Sequence, residues 1–176
     1  MLIKQRNRLF DLETPSSLKF VYVEGKGLGI FADRGFKKGD EVISFPNYLV
    51  DEAHASFESV RVTEDQWLDS EWLTPEAFIN HSCDPNMKLD FRPDQPTSAY
   101  VAIKDIAPDE EIAFNYLTID WDTQTDAFEC HCGAKNCYGI IQGLKYLTRE
   151  QQEELRAYLL PYLAEKLNNP ISNSRE

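Results

Sequence analysis

The chain has 176 residues, 42% of them hydrophobic and 12% aromatic, with a formal net charge of −12. This length suits one domain whose core buries roughly two-thirds of the surface the unfolded chain exposes, and no apolar run reaches the roughly 18 residues of a membrane-spanning helix. The acidic balance shows no basic patch of the kind that binds nucleic acid; it suits a cationic partner such as a lysine-rich peptide.

Met1 to Phe10 is basic and polar and lacks the apolar core of a signal peptide, so an intracellular protein is expected. Leu18 to Val23 reads as a strand, Glu24 to Gly29 as a turn with three glycines, and Ile30 to Ala32 as the returning strand. A second turn at Phe36 to Asp40 leads to a strand over Glu41 to Phe45. Further on, Val60 to Val62 is strand-like, Thr63 to Gln66 is a turn, and Trp67 and Trp72 are packing residues. Thr74 and Pro75 open a short helix as N-cap and first helical residue; it delivers Phe78 and Ile79 into the core and holds Asn80 and His81 in place. Met87 to Phe91, Ala99 to Ile103 and Ile112 to Tyr116 complete an array of short strands, which makes the core mainly β. Near the end, Thr148 with Gln151 forms a capping-box pattern, and Leu155, Leu159, Tyr162, Leu163 and Leu167 recur at helical spacing. Pro161 imposes a kink or the junction of two short helices. Asn168 to Glu176 is expected to fray.

Three groups of residues carry chemistry. Phe78-Ile79-Asn80-His81-Ser82-Cys83-Asp84-Pro85-Asn86 crowds an amide, an imidazole, a hydroxyl, a thiol and a carboxylate into nine residues. Cys130, Cys132 and Cys137 place three thiols in one loop, and Cys83 is the only other cysteine. In a small intracellular protein such a set points to metal before disulfides. A structural zinc takes four nitrogen or sulfur ligands, so Cys83 is the natural fourth ligand; His131 competes but is cramped between Cys130 and Cys132. Glu110 to Tyr116 puts Phe114 and Tyr116 on one face of a strand. The turn Gly25-Lys26-Gly27-Leu28-Gly29 fits neither the dinucleotide-binding nor the Walker pattern. By itself it is either an ordinary hairpin turn or a backbone open to close approach by a ligand.

Together these stretches resemble the SET-domain protein lysine methyltransferases. The glycine turn with Ile30 and Phe31 resembles the family's first motif, Phe78 to Asn86 its asparagine-histidine signature, Glu110 to Tyr116 its closing motif, and the cysteine loop its post-SET segment. The resemblance implies a β-clip fold of short sheets with a pseudoknot and a C-terminal helical segment. The division it implies is an extension at 1–17, a SET domain at 18–127, a zinc loop at 128–143 and the helical segment at 144–176, with no cysteine-rich pre-SET region. It implies S-adenosylmethionine as methyl donor, bound by Asn80, His81 and the backbone at Lys26, Gly27 and Leu28. Tyr116 then stands at the catalytic position, and Phe114, at the channel position that governs how many methyl groups are added, permits more than one. Cys83, Cys130, Cys132 and Cys137 would hold one structural zinc, and the substrate would be a basic, lysine-containing protein. A catalytically silent module that binds a basic peptide is the alternative. The sequence departs from the family pattern at Ala77, where arginine is usual, and at Asn115, where aspartate is usual.

Overall fold

The computed structural model describes residues 15–56, 59–69, 74–123 and 127–168. In chain order its strands are β1 (Leu18–Val23), β2 (Gly27–Ala32), β3 (Glu41–Pro46), β4 (Tyr48–Val50), β5 (Val60–Arg61), β6 (Trp67–Asp69), β7 (Asn80–His81), β8 (Met87–Asp90), β9 (Thr97–Ala102), β10 (Ala113–Phe114), β11 (Phe128–Glu129) and β12 (Ile140–Ile141). They form small sheets: the hairpins β1–β2 and β11–β12, the pair β10–β7, and the three-stranded sheets β3–β9–β8 and β4–β6–β5. All pairings are antiparallel except β7 with β10, which run parallel. The mainly β architecture and the helical C-terminus are as the sequence implies.

Local chemistry explains most of the elements, and it also explains where they differ from expectation. The turn between β1 and β2 is only Glu24 to Lys26, and the ladder runs down to Val23 opposite Gly27, so the second strand begins three residues earlier than its apolar residues indicate. Gly25 (φ +79°) and Gly27 (φ +89°) occupy the left-handed region that the tight reversal requires. The helix opened by Pro75 is a single 3-10 turn, Pro75–Phe78; Thr74 sits at its N-cap but makes no side-chain capping bond, and its buried hydroxyl has no partner among the described residues. Asn80 and His81 are consequently held by strand pairing with β10, not by a helix. Trp72 and Asn168's successors lie outside the described residues; Trp67 is half-buried beside the Arg61 guanidinium, 5.0 Å from its ring centroid.

The core gathers Ile30 and Ala32 of β2, Val42 and Ile43 of β3, Met87 and Leu89 of β8, Tyr100 and Ala102 of β9, and Ile112 with Phe114. The C-terminal segment closes it. Thr148 and Gln151 make the complete capping box at the start of α1 (Arg149–Leu155). Pro161 is the first residue of α2 (Pro161–Asn168), where its missing N–H costs nothing; the chain forms two helices, separated by a 3-10 turn over Arg156–Tyr158 and an extended Leu159. Leu155, Tyr162, Leu163 and Leu167 are buried, and the Leu160 N–H donates to the Thr118 carbonyl at 3.0 Å. The apolar stripe therefore packs onto the body of the domain. Among the described residues no helix is long and apolar enough to cross a membrane.

Candidate active site

The short strand β7 is the structural centre. Ala113 pairs with Asn80 and Phe114 with His81, and the Ser82 and Asn86 N–H groups donate to the Phe114 and Ala113 carbonyls at 2.9 and 3.2 Å. Asn86 completes the lock. Its side-chain oxygen accepts from the Ala113 N–H, and its amide donates to the Glu111 carbonyl, both at 2.9 Å. Signature and closing motifs are thus sewn together although about 30 residues separate them.

Asn80 and the glycine hairpin meet at Glu111. The Asn80 amide donates to one carboxylate oxygen at 2.9 Å, and Lys26 Nζ lies 2.6 Å from the other. Gly29 leaves room for this pairing: a Cβ there would come within 2.6 Å of Asn80 Nδ2 and 3.1 Å of Glu111 Oε1. Asn80, Lys26 and Gly25 line one cleft of about 220 Å³ with His81, Tyr116, Phe128, Glu129 and the first residues of the cysteine loop. Gly27 and Leu28 stand on β2 beside this cleft and do not line it.

His81 is buried and both its ring nitrogens are engaged. The Tyr116 N–H donates to Nδ1 at 3.1 Å, and Nε2 lies 3.2 Å from Cys83 Sγ. Accepting at Nδ1 leaves the proton on Nε2, directed at the sulfur. Burial, followed by the charge of Lys26, pushes the imidazole pKa down to about 4 and keeps the ring neutral. Tyr116 donates its hydroxyl to the Ile79 carbonyl at 2.9 Å. Burial, with a smaller effect from Glu111, pushes its pKa up to about 12, so the phenol stays protonated at neutral pH. A run of aromatic rings leads inward from it: Tyr116 to Phe114 and Phe114 to Tyr100, each with centroids 4.9 Å apart. On the outer side, Phe128 meets Tyr116 edge-on at 6.2 Å. Phe114 itself is buried and packs against Tyr116 without lining the cleft.

The four cysteines converge. Their sulfurs all lie within 4.8 Å of one another, with Cys83 Sγ 3.8 Å from Cys130 Sγ and 3.9 Å from Cys137 Sγ. A tetrahedron of thiolates around zinc, with Zn–S of about 2.3 Å, has edges of about 3.8 Å, so the donor set and spacing fit that ion. Burial pushes the Cys83 thiol well above its usual range; holding it as a thiolate requires a cation. His131 is not in this group and faces the cleft instead.

A sequence profile described as SET domain matches residues 27–117, more than half of the chain. The chain belongs to the SET-domain family. Histone-lysine N-methyltransferase NSD3 of Mus musculus is 30% identical over 157 residues, 77% of this chain and 10% of that protein. A Candida albicans protein named histone-lysine N-methyltransferase, H3 lysine-36 specific, is 25% identical over 178 residues, 92% of this chain and 20% of its own length. The chain therefore spans a fifth or less of these two relatives. A solved structure described as KRYPTONITE in complex with mCHG DNA and SAH superposes with a TM-score of 0.60 at 20% identity, over 73% of this chain and 29% of that one; it shows the fold.

Within this SET domain the two departures have structural readings. Asn115 is 1% exposed, and its Oδ1 accepts from the Leu117 N–H at 3.0 Å, capping the 3-10 turn that begins at Tyr116. An aspartate would make the same cap; the amide adds a buried Nδ2 that has no partner among the described residues. Ala77 is exposed on the rim of a separate small cavity. Glu111 is the residue that sequence reasoning passed over. The signal was a carboxylate two residues before the strand pair of a recognised motif, but nothing in the spacing reveals that Lys26 and Asn80 converge on it.

Proposed function

We propose that this SET domain transfers a methyl group from S-adenosylmethionine to a lysine side chain of a protein. The observation that carries the reading is the single cleft where Lys26, Asn80, His81 and a protonated Tyr116 meet. When bound, the donor supplies a sulfonium methyl, so the protein's work is alignment and charge control. Lys26 and Asn80, tied by Glu111, hold the donor's side of the cleft, and Phe128 offers an aromatic face. The Tyr116 hydroxyl donates a hydrogen bond to the Ile79 carbonyl, which leaves its oxygen lone pairs to accept from the amine and aim it at the methyl carbon. Phe114 and Tyr116 wall the amine's channel with apolar surface, which favours the neutral, nucleophilic form over the ammonium. The amine lone pair forms the new N–C bond, the S–C bond breaks with its electron pair left on sulfur, and the amine loses its proton to water.

Cys83, Cys130, Cys132 and Cys137 hold a structural zinc that stays out of the reaction, because a shell of four sulfurs has no open position. The division into a SET domain at 18–127, a zinc loop at 128–143 and a helical segment at 144–176 follows from these roles. The relatives' names make a lysine-rich, histone-like protein the substrate class, in keeping with a chain of net charge −12. The test is transfer of labelled methyl to a panel of lysine-rich proteins. Tyr116→Phe should lower kcat on the order of a hundredfold or more with donor affinity by calorimetry little changed. Donor binding with no labelled product on any substrate would favour a silent peptide-binding module; no donor binding would sink the reading.

A further inference from the structure

A second cavity, of about 60 Å³, lies between the β4–β6–β5 and β3–β9–β8 sheets and shares no lining residue with the active-site cleft. Phe45, Leu68 and Leu89 give it apolar walls, and Glu76, Tyr100 and Asp69 give it polar groups; Asp69 already accepts from the Ser56 and Ser59 hydroxyls. Tyr100 is 5% exposed; it lines the cavity, and its hydroxyl has no hydrogen-bond partner among the described residues. The Glu76 carboxylate is close enough for its charge to act on that hydroxyl. No lysine or arginine among the described residues pairs with Glu76, and burial raises its pKa. A half-buried carboxylate with only the Thr74 hydroxyl and its own backbone N–H beside it, and a phenol hydroxyl with no protein partner, face one cavity and leave hydrogen-bonding capacity for a ligand to complete. The complement is a cation that donates hydrogen bonds and can lie against the Phe45 and Tyr100 rings, whose centroids are 5.7 Å apart.

We propose that this cavity takes a cationic side chain of the protein substrate, beside the lysine that is methylated and distinct from it. The proposal rests on lysine methylation as the activity. The two roles demand opposite electrostatics. The reacting amine must lose its proton, whereas a carboxylate holds the proton on, so Glu76 suits a cation that does not react. Phe114 separates the two places, and successive ring steps of 4.9 Å put Tyr100 at most about 10 Å from Tyr116. On an extended peptide that corresponds to about three residues. Glu76 is therefore a specificity residue for a basic neighbour of the target.

The test titrates the isotopically labelled protein with n-butylguanidinium, n-butylammonium and neutral N-butylurea, following the amide resonances of Leu68, Ala77 and Tyr100. The cations should shift these resonances and the urea should not. Glu76→Gln should weaken cation binding roughly tenfold, as loss of a charged hydrogen bond does, and Glu76→Asp should retain most of it. With peptide substrates, Glu76→Gln should raise KM for peptides bearing arginine or lysine within three residues of the target, leave KM unchanged for peptides with none, and leave kcat unchanged for both. Equal binding of the urea, or cation binding indifferent to Glu76→Gln in a variant that melts like wild type, would overturn the proposal. A protein that transfers no methyl yet binds the cations through Glu76 would refute the activity and support the cation site.

Discussion

The β3–β9–β8 sheet and the cysteine loop between β11 and β12 both adjoin the signature segment, but different forces hold them. The sheet buries Val42, Ile43, Met87, Leu89, Ala99, Tyr100 and Ala102, so removal of apolar surface from water is sufficient to order it. The loop has far less of this: Ile141 is buried at its exit, and Ala134 and Tyr138 are only partly buried against the core. Its flanking residues Phe128 and Ile140 are 39% and 51% exposed, its hairpin pairs only two residues on each side, and its fixed points are Cys130, Cys132 and Cys137 gathered on Cys83. The cleft lies where the two regimes meet: one wall belongs to the body of the domain, the other to a loop gathered on four clustered cysteines.

That contrast can be broken most forcefully by removing the metal. Structural zinc contributes on the order of 10–16 kcal/mol of apparent binding free energy in small folded sites. Chelation should therefore abolish hydrogen-exchange protection across 128–141 while Thr97 to Ala102 remain protected; equal loss in both regions would refute the division. Leu163→Ala attacks the other regime. Leu163 is completely buried, so its truncation should lower global stability by about 2–5 kcal/mol in denaturant titrations, with elemental analysis still finding a zinc on every chain. Glu111→Gln works at the junction. It removes the charge that Lys26 and Asn80 share and should weaken donor binding roughly tenfold in calorimetry, with the metal retained. The mildest probe is alkaline pH. Tyr116 has its pKa raised from 10.0 to about 12, so between those values the unfolded chain releases the proton first and stability falls as pH rises. Between pH 8 and 10 this group contributes little pH dependence, and the decline above pH 10 should be shallower in Tyr116→Phe.

Much of this organisation is legible in the residues themselves. The β-prone run Leu18 to Val23, the capping box at Thr148, the helix start at Pro161 and the spacing of Cys130, Cys132 and Cys137 are local signals, and local chemistry produces them. The strand β4 was not legible because Tyr48–Val50 is too short to show a period. The parallel pairing of β7 with β10 was not legible for the same reason, made worse by separation along the chain. At the site, the sequence identifies Asn80, His81 and Tyr116 as a set but not their wiring: that His81 spends one nitrogen on the Tyr116 backbone and directs the other at Cys83, or that Glu111 joins Lys26 to Asn80. Those contacts are set by which strands lie side by side, which no spacing rule encodes.

The three glycines of the β1–β2 hairpin are not interchangeable. Gly25 and Gly27 have positive φ with open space where a side chain would go, whereas Gly29 has ordinary extended backbone and no space at all. A mutational scan should separate them by kind. At Gly25 asparagine, which tolerates left-handed backbone, should substitute more gently than alanine or valine. At Gly29 even alanine should push Asn80 off Glu111, and cost should climb with volume alone. The same letter in one short motif thus follows a rule of torsion at one end and a rule of volume at the other.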